Sequence, residues 1–273
     1  MVQLLRDIRW ELRQQRKSMN SVTAALAKST LDEVRTFTSR QQYDFRTTLK
    51  AISEERLSFA RFGDGELKLI LRADYNLRFQ NNSDEIRREL RDTLSAHRVA
   101  DGLLVGFPHA YADAHWTEVW LDLWGEIQDL LPKGASFGNS HVSRPIFFQQ
   151  VGWKGVELWR KFWEGRRVCV ISGRGSRFER KPELFDNVAA WETIYSLPSN
   201  AFTDIPEVLK QVDLDKTSDL FLIALGPAGT ILAREIVLKN RQAIDIGHLS
   251  DSFENVFEGG SWPESKSVIR SLS

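Results

Sequence analysis

From Ser58 onward the chain alternates short apolar stretches with helix-length amphipathic ones, and this limits the possible folds more than any other feature. Ser58–Phe62, Leu103–Phe107, Ala135–Gly138, Arg167–Ser172, Thr193–Leu197, Asp219–Ala224 and Gln242–Ile246 read as strands. Glu66–Leu71, Ser83–Arg98, Asp113–Leu131, Gly155–Trp163, Ala201–Val212 and Thr230–Lys239 read as helices between them. Strands that alternate with helices point to a largely parallel sheet covered by helices, an α/β fold. A chain of 273 residues can bury such a sheet as one large domain or as a domain with an appendage.

Residues 1 to about 50 read as a helical extension. Leu4, Leu5, Ile8 and Leu12 share one face, while Arg6, Arg9, Arg13, Arg16 and Lys17 lie elsewhere. Such a helix docks on the main domain, pairs with another copy or meets an assembly partner. Asp7 and Glu11 dilute the charge that a membrane-surface helix needs. Lys+Arg and Asp+Glu both number 37, so no basic field draws in nucleic acid. Cys169 is the only cysteine, which excludes an internal disulfide and a thiolate-rich metal site. It stands in the apolar run Val168–Ile171 and reads as a core thiol. No apolar segment approaches the roughly 20 residues that span a bilayer. The first 17 residues lack the apolar centre of a signal peptide. A cytoplasmic protein is expected, divided as extension 1–50, main domain 51–258 and a loose polar tail 259–273.

The main candidate for chemistry is Phe59-Ala60-Arg61-Phe62-Gly63-Asp64-Gly65-Glu66, where a strand runs into a glycine-flanked turn. In an extended or turning backbone, residues i and i+2 point the same way, so Asp64 and Glu66 are expected to reach one cation or one polyhydroxylated ligand. The alternative is a solvated acidic turn. Other loops follow strands, where open α/β sheets bind ligands. Ser172-Gly173-Arg174-Gly175-Ser176-Arg177 departs from a dinucleotide fingerprint but offers backbone N–H groups, hydroxyls and guanidiniums to phosphate. Gly226-Pro227-Ala228-Gly229-Thr230 suits a helix N-terminus meeting an anion, or a compact turn capped by Thr230. His248, just past the last strand, is either incidental or placed for proton transfer and ligand contact, with Asp251 or Glu254 close behind it as a base. Trp116, Trp120 and Trp124 recur every four residues, as core packing does; sugar stacking is the alternative.

Taken in order, several segments resemble the bacterial GT-D-type glycosyltransferases, once catalogued as a domain of unknown function. They are Arg61–Glu66, Ser143-Arg144-Pro145, Ser176-Arg177 with Leu184–Asn187, Pro198–Phe202, Ala224–Thr230 and Gln242–His248. The resemblance covers about Ser58 to Phe257. It implies a Rossmann-like fold and transfer of a sugar from a nucleoside-diphosphate sugar, usually a UDP-sugar, to a glycan acceptor. The family's Asp-x-Glu motif maps onto Asp64 and Glu66 and implies a divalent metal, Mn²⁺ or Mg²⁺. With His248 and Asp251 these are the expected catalytic residues. Arg61, Gly63, Arg144, Ser176, Arg177, Asn200, Gly226 and Thr230 are the expected donor-binding residues. The chain departs from the family at Phe178–Pro182, where glycines are usual, and matches its acidic-aromatic cluster partly at Ser250–Glu254. A nucleotide-sugar oxidoreductase and a non-catalytic nucleotide-sugar-binding or scaffold protein are the competing readings.

Overall fold

The structure, a computed structural model, describes residues 2–95, 102–111 and 113–266. Its strands are β1 (Ser58–Arg61), β2 (Leu103–Phe107), β3 (Gly138–Asn139), β4 (Arg167–Gly173), β5 (Ala190–Ser196), β6 (Leu220–Ala224) and β7 (Ala243–Asp245). Its helices are α1 (Val2–Gln41), α2 (Phe45–Glu54), α3 (Asp64–Leu71), α4 (Asp84–Ser95), α5 (Ala114–Leu130), α6 (Pro145–Val151), α7 (Trp153–Trp163), α8 (Pro182–Phe185), α9 (Ile205–Leu214), α10 (Pro227–Val237) and α11 (Leu249–Phe257). The strands form one sheet in the order β3-β2-β1-β7-β6-β4-β5, and every pairing is parallel. All strand C-termini therefore lie at one edge.

The chain groups into two compact units, Met1–Arg40 with Ala110–Asp129, and Gln41–His109 with Leu130–Ser273. In the first unit the tryptophan stripe is core packing. Trp120 is fully buried, Trp124 stands 5.3 Å from Phe37 by ring centroid, and Trp124 Nε1 donates to Glu33 at 3.0 Å. The side chains of Leu4 and Leu5 of the expected apolar face, and residues 96–98 of the expected helix Ser83–Arg98, lie outside what is described.

The second unit holds the whole sheet. Ala60, Val105, Cys169, Ile171, Leu222 and Ile244 are inaccessible, because a sheet covered on both faces buries near-continuous apolar strands. Burial pushes the Cys169 thiol up to about 12, as a core thiol requires. α10 packs on β1 and β7. α2 belongs to this unit, capped by Asp44, whose carboxylate accepts from Thr47 N at 2.7 Å. The Thr48 hydroxyl of α2 accepts from Asn139 N at 2.9 Å and ties the helix to β3. Beside that bond, a Cβ on Gly138 would stand 2.8 Å from the Phe59 ring and 3.0 Å from Leu104. Gly138→Ala should cost about 1–3 kcal/mol by overpacking. Urea denaturation measures this, and an unchanged midpoint would contradict it.

Several element boundaries differ from expectation. β3 is two residues long, because Phe137 next to it makes only an isolated bridge with Gln42. β5 begins three residues before the expected Thr193; Trp191 and Glu192 sit on its more accessible part, and a half-exposed strand lacks an apolar run. α6 and α11 were not expected. α3 begins at Asp64, not Glu66, and this changes the geometry of the Asp-x-Glu pair.

Candidate functional site

β1 ends at Arg61, and Gly63 caps α3 at once. Asp64 and Glu66 thus lie in the first turn of a helix, not in an extended turn. Successive residues there rotate by about 100°, so positions i and i+2 diverge by about 200°. The expectation that both side chains share a face is corrected by this geometry. Asp64, on the more open side, pairs with Lys68 at 3.3 Å. Glu66 turns back and accepts from Gly63 N at 2.9 Å, one half of a capping box. Burial pushes the Glu66 carboxyl up to about 7; the Asp245 carboxylate adds to the rise, against the pull of Gly63 N–H and Arg61.

Asp245 ends β7, the neighbour of β1, and is almost inaccessible. It accepts from Gly247 N at 2.9 Å and stands 3.6 Å from Arg61 Nε. Burial raises its pKa, and Arg61 opposes the rise. Arg61 also donates to Ser140 O at 3.2 Å and to the Ser143 hydroxyl. Gly247 has φ +47°, and a Cβ there would collide with the Arg61 guanidinium, so this position requires glycine. Sequence reasoning used neither Asp245 nor Ser143 as a site residue. Asp245 offered a signal, a carboxylate between Ile244 and Ile246 on a strand with no solvated face.

Two further guanidiniums join Arg61. Arg144 follows the 3-10 turn Ser140–Ser143 and caps α6, with Pro145 in the first helical position. Its side chain is 16% exposed and ion-paired with Glu264. Burial, then the Arg61 and Arg177 cations, push its pKa down to about 9 despite Asp64 and Asp251. It stays charged at neutral pH, but this cluster of cations favours an anion.

Arg177, in the loop after β4, is bound through each guanidinium nitrogen. Nε pairs with Asp251 at 2.9 Å, Nη1 donates to Lys266 O at 3.1 Å, and Nη2 stands 2.7 Å from His248 Nδ1. A guanidinium only donates, so Nδ1 accepts and the imidazole hydrogen sits on Nε2. The His248 side chain keeps 37% of its surface exposed, and its partial burial, with Arg144 and Arg177 assisting and Asp251 opposing, pushes its pKa down, so the ring is neutral at pH 7. With Nδ1 accepting from Arg177 at 2.7 Å and Asp251 Oδ2 farther from it at 3.5 Å, Nε2–H is the donor left for a ligand. Burial pushes Asp251 up, but His248, Arg177 and Lys266 outweigh it, and the carboxyl lies below its ordinary value. Lys266 pairs with Asp251 at 3.0 Å. A carboxylate held by two cations is an anchor and a weak base.

The remaining expected residues divide. Ser176 closes its own loop, its hydroxyl accepting from Phe178 N at 3.0 Å. Thr230 does not cap α10, which starts at Pro227 behind Gly226. It is fully buried, and its hydroxyl donates to Arg61 O at 2.7 Å, so its side chain joins α10 to β1. Gly226, at φ +55°, lies against Phe79; a Cβ would come within 2.6 Å of that ring. Phe79 O in turn accepts from Asn200 N at 2.7 Å, and the Asn200 amide oxygen accepts from Asn81 N at 2.8 Å. The Asn81 and Asn200 loops, though not Gly226, border a cleft of about 540 Å³ whose lining includes Gln80, Asn81, Asn82, Pro198 and Asn200. The described part of the tail, residues 259–266, does not hang loose as expected: Pro263 is buried, Glu264 meets Arg144 and Lys266 meets Asp251.

Among the described residues no three His, Cys, Asp or Glu side chains form a metal cluster. Asp64 and Glu66 are hard oxygen donors of the kind small divalent cations take, but they point to diverging sides of one helical turn, and Glu66 is held on Gly63 N.

The family model described as Glycosyltransferase GT-D fold matches residues 59–262. Glycosyltransferase GlyD of Streptococcus pneumoniae serotype 4 is 27% identical over 218 residues, which cover 76% of this chain and 26% of the relative. The probable glycosyl transferase Gly of Streptococcus gordonii is 24% identical over 219 residues, 76% of this chain and 32% of the relative. The chain thus spans about a quarter to a third of the length of these relatives. A solved structure of domain of unknown function 1792, described as having a distinct glycosyltransferase fold, superposes with a TM-score of 0.76 at 20% identity. The superposition covers 90% of this chain and 91% of that one.

Proposed function

This chain belongs to the GT-D-fold glycosyltransferase family, and on that premise we propose that it moves a sugar from a UDP-sugar to a hydroxyl of a glycan or glycoconjugate acceptor, in the cytoplasm. The observation that carries the proposal is the gathering of Arg61, Arg144 and Arg177 at the C-terminal edge of a parallel sheet. Repulsion among these guanidiniums is part of what depresses Arg144. A diphosphate relieves that repulsion, and the edge is where such sheets take ligands. The strand order sets the span. From β7 through β6 and β4 to β5 is three strand spacings, about 14 Å. A nucleoside diphosphate laid along the edge would put its base in the Asn81–Asn200 cleft and its phosphates by Arg177 and Arg144.

In the reaction, the bond between the anomeric carbon and the diphosphate oxygen breaks and its electron pair leaves with the diphosphate, while the acceptor hydroxyl oxygen bonds to the anomeric carbon and gives up its proton to the departing diphosphate or to water. Arg144 and Arg177 hold the departing oxygens, and His248 Nε2–H donates to one of them. Asp251 acts through Arg177, fixing its orientation. Asp64 would hold a Mn²⁺ or Mg²⁺ ion, joined by Glu66 once its carboxylate leaves Gly63 N–H, and the chemistry of that ion is to neutralise charge on the leaving group. Arg61, bound to Ser140 and Ser143, steadies the wall behind them. α1 is assigned to self-association or to docking on glycan-assembly partners; its exposed Ile8, Trp10 and Leu12 support this.

Calorimetry with UDP tests the anion site. Hydrogen bonds to charged groups contribute about 1.5–3 kcal/mol, so Arg177→Ala should weaken binding roughly 10- to 150-fold and reduce its salt dependence. Unchanged affinity in a folded variant would contradict the assignment.

A further inference from the structure

Glu264 and Lys266 lie beyond residue 262, where the family match ends. They belong to a short strap that starts after Gly259, at φ +72°, and Gly260. Its root is fixed, since Gly260 N donates to Glu254 O at 3.0 Å and Asn255 Nδ2 donates to Gly260 O at 2.8 Å. Pro263–Ser265 then form one 3-10 turn, in which Ser265 bonds back to Trp262 O through its N–H at 3.0 Å and its hydroxyl at 2.8 Å. This turn aims two acceptors at two guanidiniums. The Glu264 carboxylate pairs with Arg144, and the Lys266 carbonyl accepts from Arg177 at 3.1 Å. The Lys266 ammonium holds the end down on Asp251 and Glu254, both at 3.0 Å.

A carboxylate and a carbonyl present these cations with the same oxygen acceptors that a phosphate would. We propose that the strap Trp262–Lys266 is an intramolecular occupant of the anion site, and that the donor diphosphate displaces Glu264 from Arg144 when it binds. The proposal rests on the reading that Arg144 and Arg177 hold the diphosphate. The exposures suit an exchange: Arg144 is 16% exposed, whereas Glu264 is 52% exposed and approaches from the solvent side. A partly exposed pair of this kind is weak enough to give way to a doubly charged ligand. While it is closed, the strap lowers the apparent affinity by the fraction of molecules that are open. It would thereby bias the site against weak monoanions, which cannot match two acceptors at once.

The test is calorimetry of UDP, and of inorganic pyrophosphate as the bare anion, on the full chain. Glu264→Gln should tighten UDP about fivefold, the factor expected if the strap is closed in about four molecules of five. In an Arg144→Gln background the same substitution should have no effect, because its cation is gone. Thermal melts check that each variant is folded; exposed Glu264 should alter them little. If wild type binds UDP and Glu264→Gln binds it equally or more weakly, the strap proposal is overturned and the donor reading stands. If neither UDP nor pyrophosphate binds folded wild type or Glu264→Gln, the donor reading fails and the strap fails with it.

Discussion

Asp64→Asn is expected to reduce sugar transfer at least about 100-fold while leaving the melting temperature within about 2 °C. The two effects separate because the side chain does little for the fold. Its pairing with Lys68 is a half-exposed contact one helical turn away, at 3.3 Å, and pairs of that kind contribute about 0.3–0.5 kcal/mol. Loss of one charged oxygen ligand at a developing diphosphate has a larger effect, several kcal/mol of transition-state stabilisation. Glu66→Gln should behave alike, because glutamine can still accept from Gly63 N–H in the capping box. Glu66→Ala should also lose the cap, at about 1 kcal/mol. Rates with a UDP-sugar beside thermal melts measure both quantities. Wild-type transfer by Asp64→Asn, or collapse of its fold, would contradict the assignment.

Asp245→Ala should have the largest effect on stability. Asp245 is 2% exposed and faces Arg61, itself mostly buried. Removing one partner of a buried pair leaves an uncompensated charge and costs about 3–5 kcal/mol. The same carboxylate fixes Gly247 N at 2.9 Å and so the entry to the His248 loop. For a domain of this size, about 2–4 °C is lost per kcal/mol, so the melting temperature should fall by about 6–20 °C. Arg61→Met in the same chain should recover part of the loss, since it removes the stranded cation. A melt of Asp245→Ala within about 2 °C of wild type would show that the pair contributes little.

The strands were legible because a covered parallel sheet writes itself as apolar runs, and Val168–Ile171 and Leu220–Ile223 are such runs. α11 was less so. Its buried face rests on Leu249 and Phe253, while Asp251 between them and Glu254 after them make the segment look like a polar loop. The Asp-x-Glu motif was legible as a pair, but its geometry was not. Gly63 and Gly65 suggested a turn, yet the Glu66 carboxylate folding back on Gly63 N–H made Asp64 the first residue of a helix. Asp245 was hidden because its partner Arg61 lies on another strand, and pairing between distant strands leaves no local pattern. Glu264 and Lys266 were read as tail because Gly259, Gly260 and Pro263 signal loose chain. Long-range ion pairs with Arg144 and Asp251 decide otherwise.

The measurement that bears most directly on the proposed function is UDP release from a panel of UDP-sugars, with and without Mn²⁺, in wild type and Asp64→Asn. The expected result is release from at least one UDP-sugar that needs the metal in wild type and falls about 100-fold or more in Asp64→Asn. Tight UDP binding with no release from any sugar, with or without a glycan acceptor, would contradict catalysis and leave a nucleotide-sugar-binding protein in its place.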